Sequence, residues 1–227
     1  SNLSSVPIYN YQRSNSGRNN STSFNAGVDY QHTFHRAGEL LTFSYRMETN
    51  PNKNTSTSYY HDIWQYPDES RLNDLHFVSK GNFYEHSGQL DYTLPWFKIN
   101  TFSAGIKYTY RINRSDNAES YRSTGGDGDF LPDELNSIKY RNRNDILAGY
   151  GEYKLNLKKL SFKSGLRFER SYVKVTYPDG KESEFHTTFN DFVPSASIGY
   201  KLSDTKNVKL QYNMRIQRPD ISYLNPY

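Results

Sequence analysis

The sequence predicts an all-β protein, an antiparallel up-and-down meander of about eight strands, and three observations carry that reading. Apolar side chains recur with a period of two along most of the chain, while helical periodicity is nearly absent. Only 34% of the residues are hydrophobic, yet 16% are aromatic, with 21 Tyr and 13 Phe among 227 residues. A disordered chain is poor in aromatics and an ordinary globular domain is richer in apolar residues, so strands that are greasy on alternate positions fit best. Short connections also alternate with long polar ones, in strict order.

The first hairpin sets Phe24, Ala26, Val28 and Tyr30 against Asn25, Gly27, Asp29 and Gln31, turns at His35 to Gly38, and returns through Leu41, Phe43, Tyr45 and Met47. The second runs through Leu90, Tyr92 and Leu94, turns at Pro95 to Lys98, and returns through Phe102, Ala104, Ile106, Tyr108 and Tyr110. In the third, Leu147, Gly149, Gly151, Tyr153, Leu155 and Leu157 turn at Lys158-Lys159 into Leu160, Phe162, Leu166 and Phe168. The fourth pairs Phe192 to Leu202 with Val208 to Gln217 across the polar turn Ser203 to Asn207. In its last strand Leu210, Tyr212 and Met214 form the apolar face, and Gln211, Asn213 and Arg215 the wet one. Residues 1–20 read as a polar lead-in loop, and the stretches 49–81, 113–139 and 178–191 as long loops, with an extra strand over Thr55 to Ile63. The whole of 1–227 reads as one β-barrel region cut from something longer.

Tight turns at one end and long loops at the other are the mark of a transmembrane β-barrel. In lipid every backbone N–H and C=O needs a protein partner, so the sheet closes, turns its apolar side chains outward and keeps water or a plug within. No run of 18 apolar residues exists to form a membrane helix. The 28 Lys and Arg against 24 Asp and Glu are scattered, which argues against a nucleic-acid partner. The absence of Cys excludes disulfides and thiolate chemistry.

Catalytic motifs are missing: there is no Walker A sequence, no Gly-x-Ser-x-Gly and no His-Glu-x-x-His, so no enzyme is expected. No cofactor is expected either. Asp127, Asp129, Asp133 and Glu134, on a glycine-rich stretch, offer hard oxygen ligands suited to Ca²⁺, although the EF-hand order is not met. Tyr59, Tyr60, Trp64 and Tyr66, interleaved with His61, Asp62 and Gln65, are the candidate ligand-binding cluster, because flat rings beside hydrogen-bonding groups hold sugars or peptides at a barrel mouth.

The segment Pro194-Ser195-Ala196-Ser197-Ile198-Gly199-Tyr200 and the run Met214-Arg215-Ile216-Gln217-Arg218-Pro219, closing on Leu224-Asn225-Pro226-Tyr227, resemble the outer-membrane β-barrel proteins of Bacteroidetes that are like TonB-dependent receptors. Gly165-Leu166-Arg167-Phe168-Glu169 is similar to the same family's paired strands, whereas Met214-Arg215 departs from its Arg-Arg pair. Pro194, Arg215, Arg218, Pro219, Asn225 and Pro226 are thereby marked as structural motif residues. The resemblance implies a bacterial outer-membrane location and a barrel of about 22 strands. It also implies an N-terminal plug that contacts TonB, and uptake of a nutrient whose identity the sequence does not give. This chain would supply barrel strands only, partnered by outer-membrane lipid, the remaining strands and the plug. The competing expectation is a self-contained small barrel acting as an adhesin or structural protein.

Overall fold

The computed structural model describes residues 9–64, 72–180 and 183–216. Among them lie nine strands: β1 Asn10–Ser21, β2 Phe24–Thr33, β3 Leu40–Trp64, β4 Asn73–Trp96, β5 Asn100–Ser123, β6 Leu131–Asn156, β7 Leu160–Thr176, β8 Phe185–Lys201 and β9 Asn207–Asn213. All pairings are antiparallel, and from β3 to β9 each strand pairs with the next in sequence. The predicted meander is present, and its four tight turns fall at 34–39, 97–99, 157–159 and 202–206, all at one end of the sheet.

Strands β1 and β2 share the partner β3 in one continuous register, Ser21 opposite Asn52 and Phe24 opposite Thr49. They amount to a single long strand interrupted at residues 22 and 23. The cause sits across the ladder: the Thr22 amide donates to the Pro51 carbonyl at 3.1 Å, but Pro51 has no N–H to return the bond. Counted this way the sheet has the eight strands the sequence predicts.

Two expectations need correction. Asn10 to Ser21, read as part of a lead-in loop, is strand β1, because the outer half of β3 offers a free edge and polar side chains stitch the pair. Arg13 donates to Ser58 Oγ at 3.0 Å, Ser58 donates to Asn15 at 2.7 Å, and Ser21 donates to Asn50 at 3.0 Å. The long loops at 49–81 and 113–139 are likewise mostly strand, 178–191 is strand from Phe185 onward, and Thr55 to Ile63 continues β3 instead of forming a separate strand. At that end β3 runs to Trp64 and β4 begins at Asn73, and only 124–130 separates β5 from β6. Ladder hydrogen bonds come from the backbone and do not require an apolar face, so pairing runs on where alternation stops.

The sheet's burial is inverted relative to a globular protein. One face carries Phe24, Val28, Tyr30, Phe43, Leu90, Ile106, Leu147, Leu166, Phe168, Phe192, Ile198 and Leu210, all exposed. The other face holds Ser87, Thr109, Asn142, Glu169 and Ser171, all buried. The sheet curls around its polar side. On β5 the outward apolar run extends from Phe102 to Ile112 before Arg114 and Asp116 take over. Ten residue steps at about 3.3 Å, tilted by about 45°, cover roughly 23 Å, close to the apolar band of a barrel in a bilayer. Strands β3 to β6, of 24 to 26 residues, therefore continue well beyond the bilayer at the end away from the tight turns.

Aromatic girdles mark both edges of that band. Near the turns, Phe102 meets Tyr153 at 5.0 Å and Trp96 at 6.1 Å, and Phe34 packs edge-on against Tyr92 at 6.0 Å. At the far edge the Tyr45 hydroxyl lies 2.8 Å from His86, the Tyr108 hydroxyl donates to Asp145 at 2.5 Å, and the Arg143 guanidinium lies over Tyr110 at 5.3 Å. Rings half in water suit both zones.

Substituting Pro51→Thr supplies the missing donor. In the bilayer-reconstituted protein it is expected to stabilise the sheet by about 1 kcal/mol and to slow amide exchange around Thr22; a destabilised variant would show that the interruption has another origin.

Candidate functional site

The enclosed polar face is a wall of paired charges. Arg46 binds Asp29 at 2.6 Å, Arg111 binds Glu85 at 2.5 Å, Lys163 binds Glu152 at 2.6 Å and Arg167 binds Glu169 at 2.7 Å. The first three pairs bridge β2 to β3, β4 to β5 and β6 to β7, and the fourth lies within β7, all on the inward alternate positions. Two glycines let long side chains lie flat on it. A Cβ at Gly27 would come within 2.7 Å of Arg46, and one at Gly105 within 2.5 Å of Tyr150, which crosses β5 to reach Asp91 on β4. The wall also holds a recess of about 610 Å³ lined by Gly27, Asp29, Arg46, Glu48, Glu85, Ser87 and Lys107.

The second feature lies at the end away from the tight turns. The Asp74 carboxylate, almost fully buried, accepts from the Tyr60 amide at 3.0 Å and from Arg122 at 3.1 Å. The Arg122 guanidinium lies 4.7 Å from the Phe130 ring and 5.9 Å from the Tyr59 ring, and also donates to the Gly128 carbonyl at 3.3 Å. Thr124 donates to the Leu72 carbonyl at 2.6 Å. These contacts clamp the connection 124–130 onto β3, β4 and β5. Sequence reasoning missed Asp74 and Arg122, because residues 48 apart carry no local signal that they meet.

The aromatic cluster expected to sit in a loop is on β3 itself. Tyr59 and Tyr60 are consecutive strand residues and face opposite ways. Tyr59 joins Arg122, whereas Tyr60 packs on Tyr11 at 5.5 Å and under Arg13 at 5.6 Å. Trp64 is half exposed at the end of β3. Tyr66 lies outside the described residues, as do Arg218, Pro219, Asn225 and Pro226. Of the other motif residues, Pro194 accepts from the Met214 amide at 3.2 Å where the β8 and β9 ladder ends, and Arg215 is exposed just beyond it.

The four carboxylates proposed for Ca²⁺ do not converge. Asp133 accepts from the amides of Leu135 and Asn136, both at 3.1 Å, closing a turn over its own backbone. Asp127 and Asp129 stay in the connection 124–130, and among the described residues no three His, Asp or Glu side chains come together as a metal site. Asp133 does face Glu119: burial pushes the Glu119 carboxyl above its ordinary range, and the charge of Asp133 adds to the shift.

A sequence model of the outer membrane protein beta-barrel family matches residues 32–227. The chain belongs to that family. Its placement in the outer membrane agrees with the outward apolar band and the aromatic girdles. Among solved structures this family member is similar to the ferric-catecholate import receptor Fiu of E. coli K12. The open form aligns at 14% identity over 88% of this chain and 36% of that one, with a TM-score of 0.63; the closed form aligns at 14% identity over 86% and 33%, with a TM-score of 0.58. The chain thus spans about a third of the length of that receptor, and at this identity the likeness is one of fold. A comparison with curated proteins finds no match.

Replacing Asp74 by Ala strands a mostly buried guanidinium and is expected to cost about 3 kcal/mol, with the connection 124–130 becoming open to proteolysis. The double variant Asp74→Ala/Arg122→Met is expected to recover most of that loss, and equal damage from both variants would refute the clamp.

Proposed function

We propose that this chain is the barrel segment of a TonB-dependent type of receptor that binds a nutrient at the outer surface and passes it across the outer membrane. The observation that carries the reading is the inverted sheet: a greasy convex face for lipid and a charge-paired wall for a polar occupant. Among the described residues β9 has a neighbour on one side only, as do β1 and β2. This favours completion by further strands over closure of these strands on themselves, and so disfavours the self-contained barrel. The polar occupant is a plug folded from another part of the parent chain, and TonB acts on that plug. Four ion pairs satisfied within the wall suit a domain that must shift against it, held through water and replaceable bonds.

Ligand capture belongs to the far end, where the strands overshoot the bilayer. Tyr59 and Trp64, exposed there by 40% and 49%, present ring faces for stacking on the nutrient. The protein's residues supply binding and a path, with no chemical transformation assigned to them.

The test uses the full-length parent with a single cysteine at Lys107 on the inner wall. Maleimide labelling in whole cells is expected to be slow, and deletion of the segment that precedes the barrel is expected to accelerate it and open a large conductance in planar bilayers. Labelling that is fast in the intact parent and unchanged by the deletion would contradict a plugged receptor.

A further inference from the structure

Two pairings on the outer surface of the sheet set like charges against each other. Lys53 on β3 lies directly opposite Lys80 on β4, and Arg114 on β5 lies directly opposite Arg141 on β6. Like charges so placed repel and weaken the ladder. The two pairs sit in adjacent rows, since Asn82 faces Arg114 and Lys80 faces Asp116 across β4 and β5. All four cations are exposed, and among the described residues none of them has an acidic partner; Asp116 forms no ion pair with its neighbours. The inner wall does the opposite, pairing Arg46, Arg111 and Lys163 with acids on the next strand.

Register fixes the face and the height of this patch. Counting by twos leads from Phe43 to Lys53, from Leu90 to Lys80, from Ile106 to Arg114 and from Leu147 to Arg141, so all four stand on the side that carries the exposed apolar residues. Arg114 is two residues past Ile112, the end of the apolar run on β5, which puts it roughly 5 Å above the apolar band and the lysine row roughly 5 Å higher. Tight turns mark the periplasmic side of such barrels, so the patch lies at the headgroup level of the outer leaflet. Its polar groups are fastened in place: the Arg114 guanidinium lies over the Tyr84 ring at 5.9 Å, Asn82 donates to the Tyr84 hydroxyl at 2.8 Å, and Thr49 donates to Asn82 at 3.3 Å.

We propose that Lys53, Lys80, Arg114 and Arg141 bind the phosphorylated head of a glycolipid in the outer leaflet. A phosphate between Arg114 and Arg141, and another between Lys53 and Lys80, turns each repulsive pair into a bridge, and the guanidinium forks match phosphate geometry. Asn82 and Thr49 offer hydrogen bonds to sugar hydroxyls, and the acyl chains run down over Ile112 and Ile106 toward the turns. A zwitterionic head brings its own ammonium group and leaves the repulsion in place. The site rests on the placement of the barrel in the membrane and not on uptake.

The experiment uses the full-length parent in micelles, with diphosphoryl lipid A or its dephosphorylated counterpart as the probe. In native mass spectrometry the diphosphoryl form is expected to be retained about tenfold better. The variant K53Q/K80Q/R114Q/R141Q is expected to lose that preference, while K98Q/K158Q, at the tight turns, keeps it. Thermal unfolding supplies a readout that a merely solvated patch would not give, a reversal of sign. Without lipid A, K80Q and R141Q each remove a like-charge pair and are expected to raise the melting temperature; with diphosphoryl lipid A each removes a phosphate contact and is expected to lower the melting temperature of the complex below that of the parent complex. Equal retention of the two probes, a preference that survives the quadruple variant, displacement of lipid A by millimolar inorganic phosphate, or shifts of one sign in both conditions would each overturn the site. Heat-modifiable migration on gels checks the barrel separately: a parent without it defeats the membrane placement itself, whereas a folded barrel without the preference defeats only this inference.

Discussion

The rest of the structure depends on the hydrogen-bond requirement of a backbone placed in hydrocarbon. An unpaired N–H or C=O in lipid costs several kcal/mol, so strands must be laddered along their full membrane-spanning length. Once that is met, side chains are free to sort by face. Ile106 and Lys107, neighbours in sequence, end in lipid and on the inner wall, and the same division holds for Leu166 and Arg167 on β7. The exposed Phe, Leu and Ile and the buried Ser, Thr and Asn follow from one rule applied to both faces of one sheet.

The inner wall solves the converse problem. Pairing charges on the inner face offsets the cost of their partial desolvation, and the three pairs that bridge neighbouring strands also fix register, since a slip of one residue would turn one partner to the opposite face. Gly27 and Gly105 belong to the same solution, as they let Arg46 and Tyr150 lie along the wall and leave the interior open. Beyond the bilayer both faces are wet, and stability passes to side-chain bonds such as those of Ser58 with Arg13 and Asn15, and to the Asp74 and Arg122 clamp.

Much of this was legible in the sequence. Alternation located the four hairpins, and the turn at Lys158-Lys159 and the polar turn after Leu202 were evident from a break in period. Alternation is imposed by the bilayer, however, and it ends where the bilayer ends. For that reason Asn10 to Ser21 carries no face pattern and reads as a loop, and Thr55 to Ile63 reads as a strand of its own when it is the continuation of β3. The rim was hidden for a related reason: Tyr59, Arg122 and Phe130 come together only through the register of β3, β4 and β5, and the consecutive Tyr59 and Tyr60 looked like one cluster until the strand set them on opposite faces.

The division of faces is tested most directly by single tryptophans in the reconstituted full-length protein, its native tryptophans replaced by Phe, with bromine-labelled lipid as quencher. Probes at Ile106 and Leu210 are expected to be strongly quenched, and probes at Lys107 and Gln211 to be quenched little. Equal and weak quenching at all four positions would mean that the apolar face meets protein, and would contradict the inverted sheet.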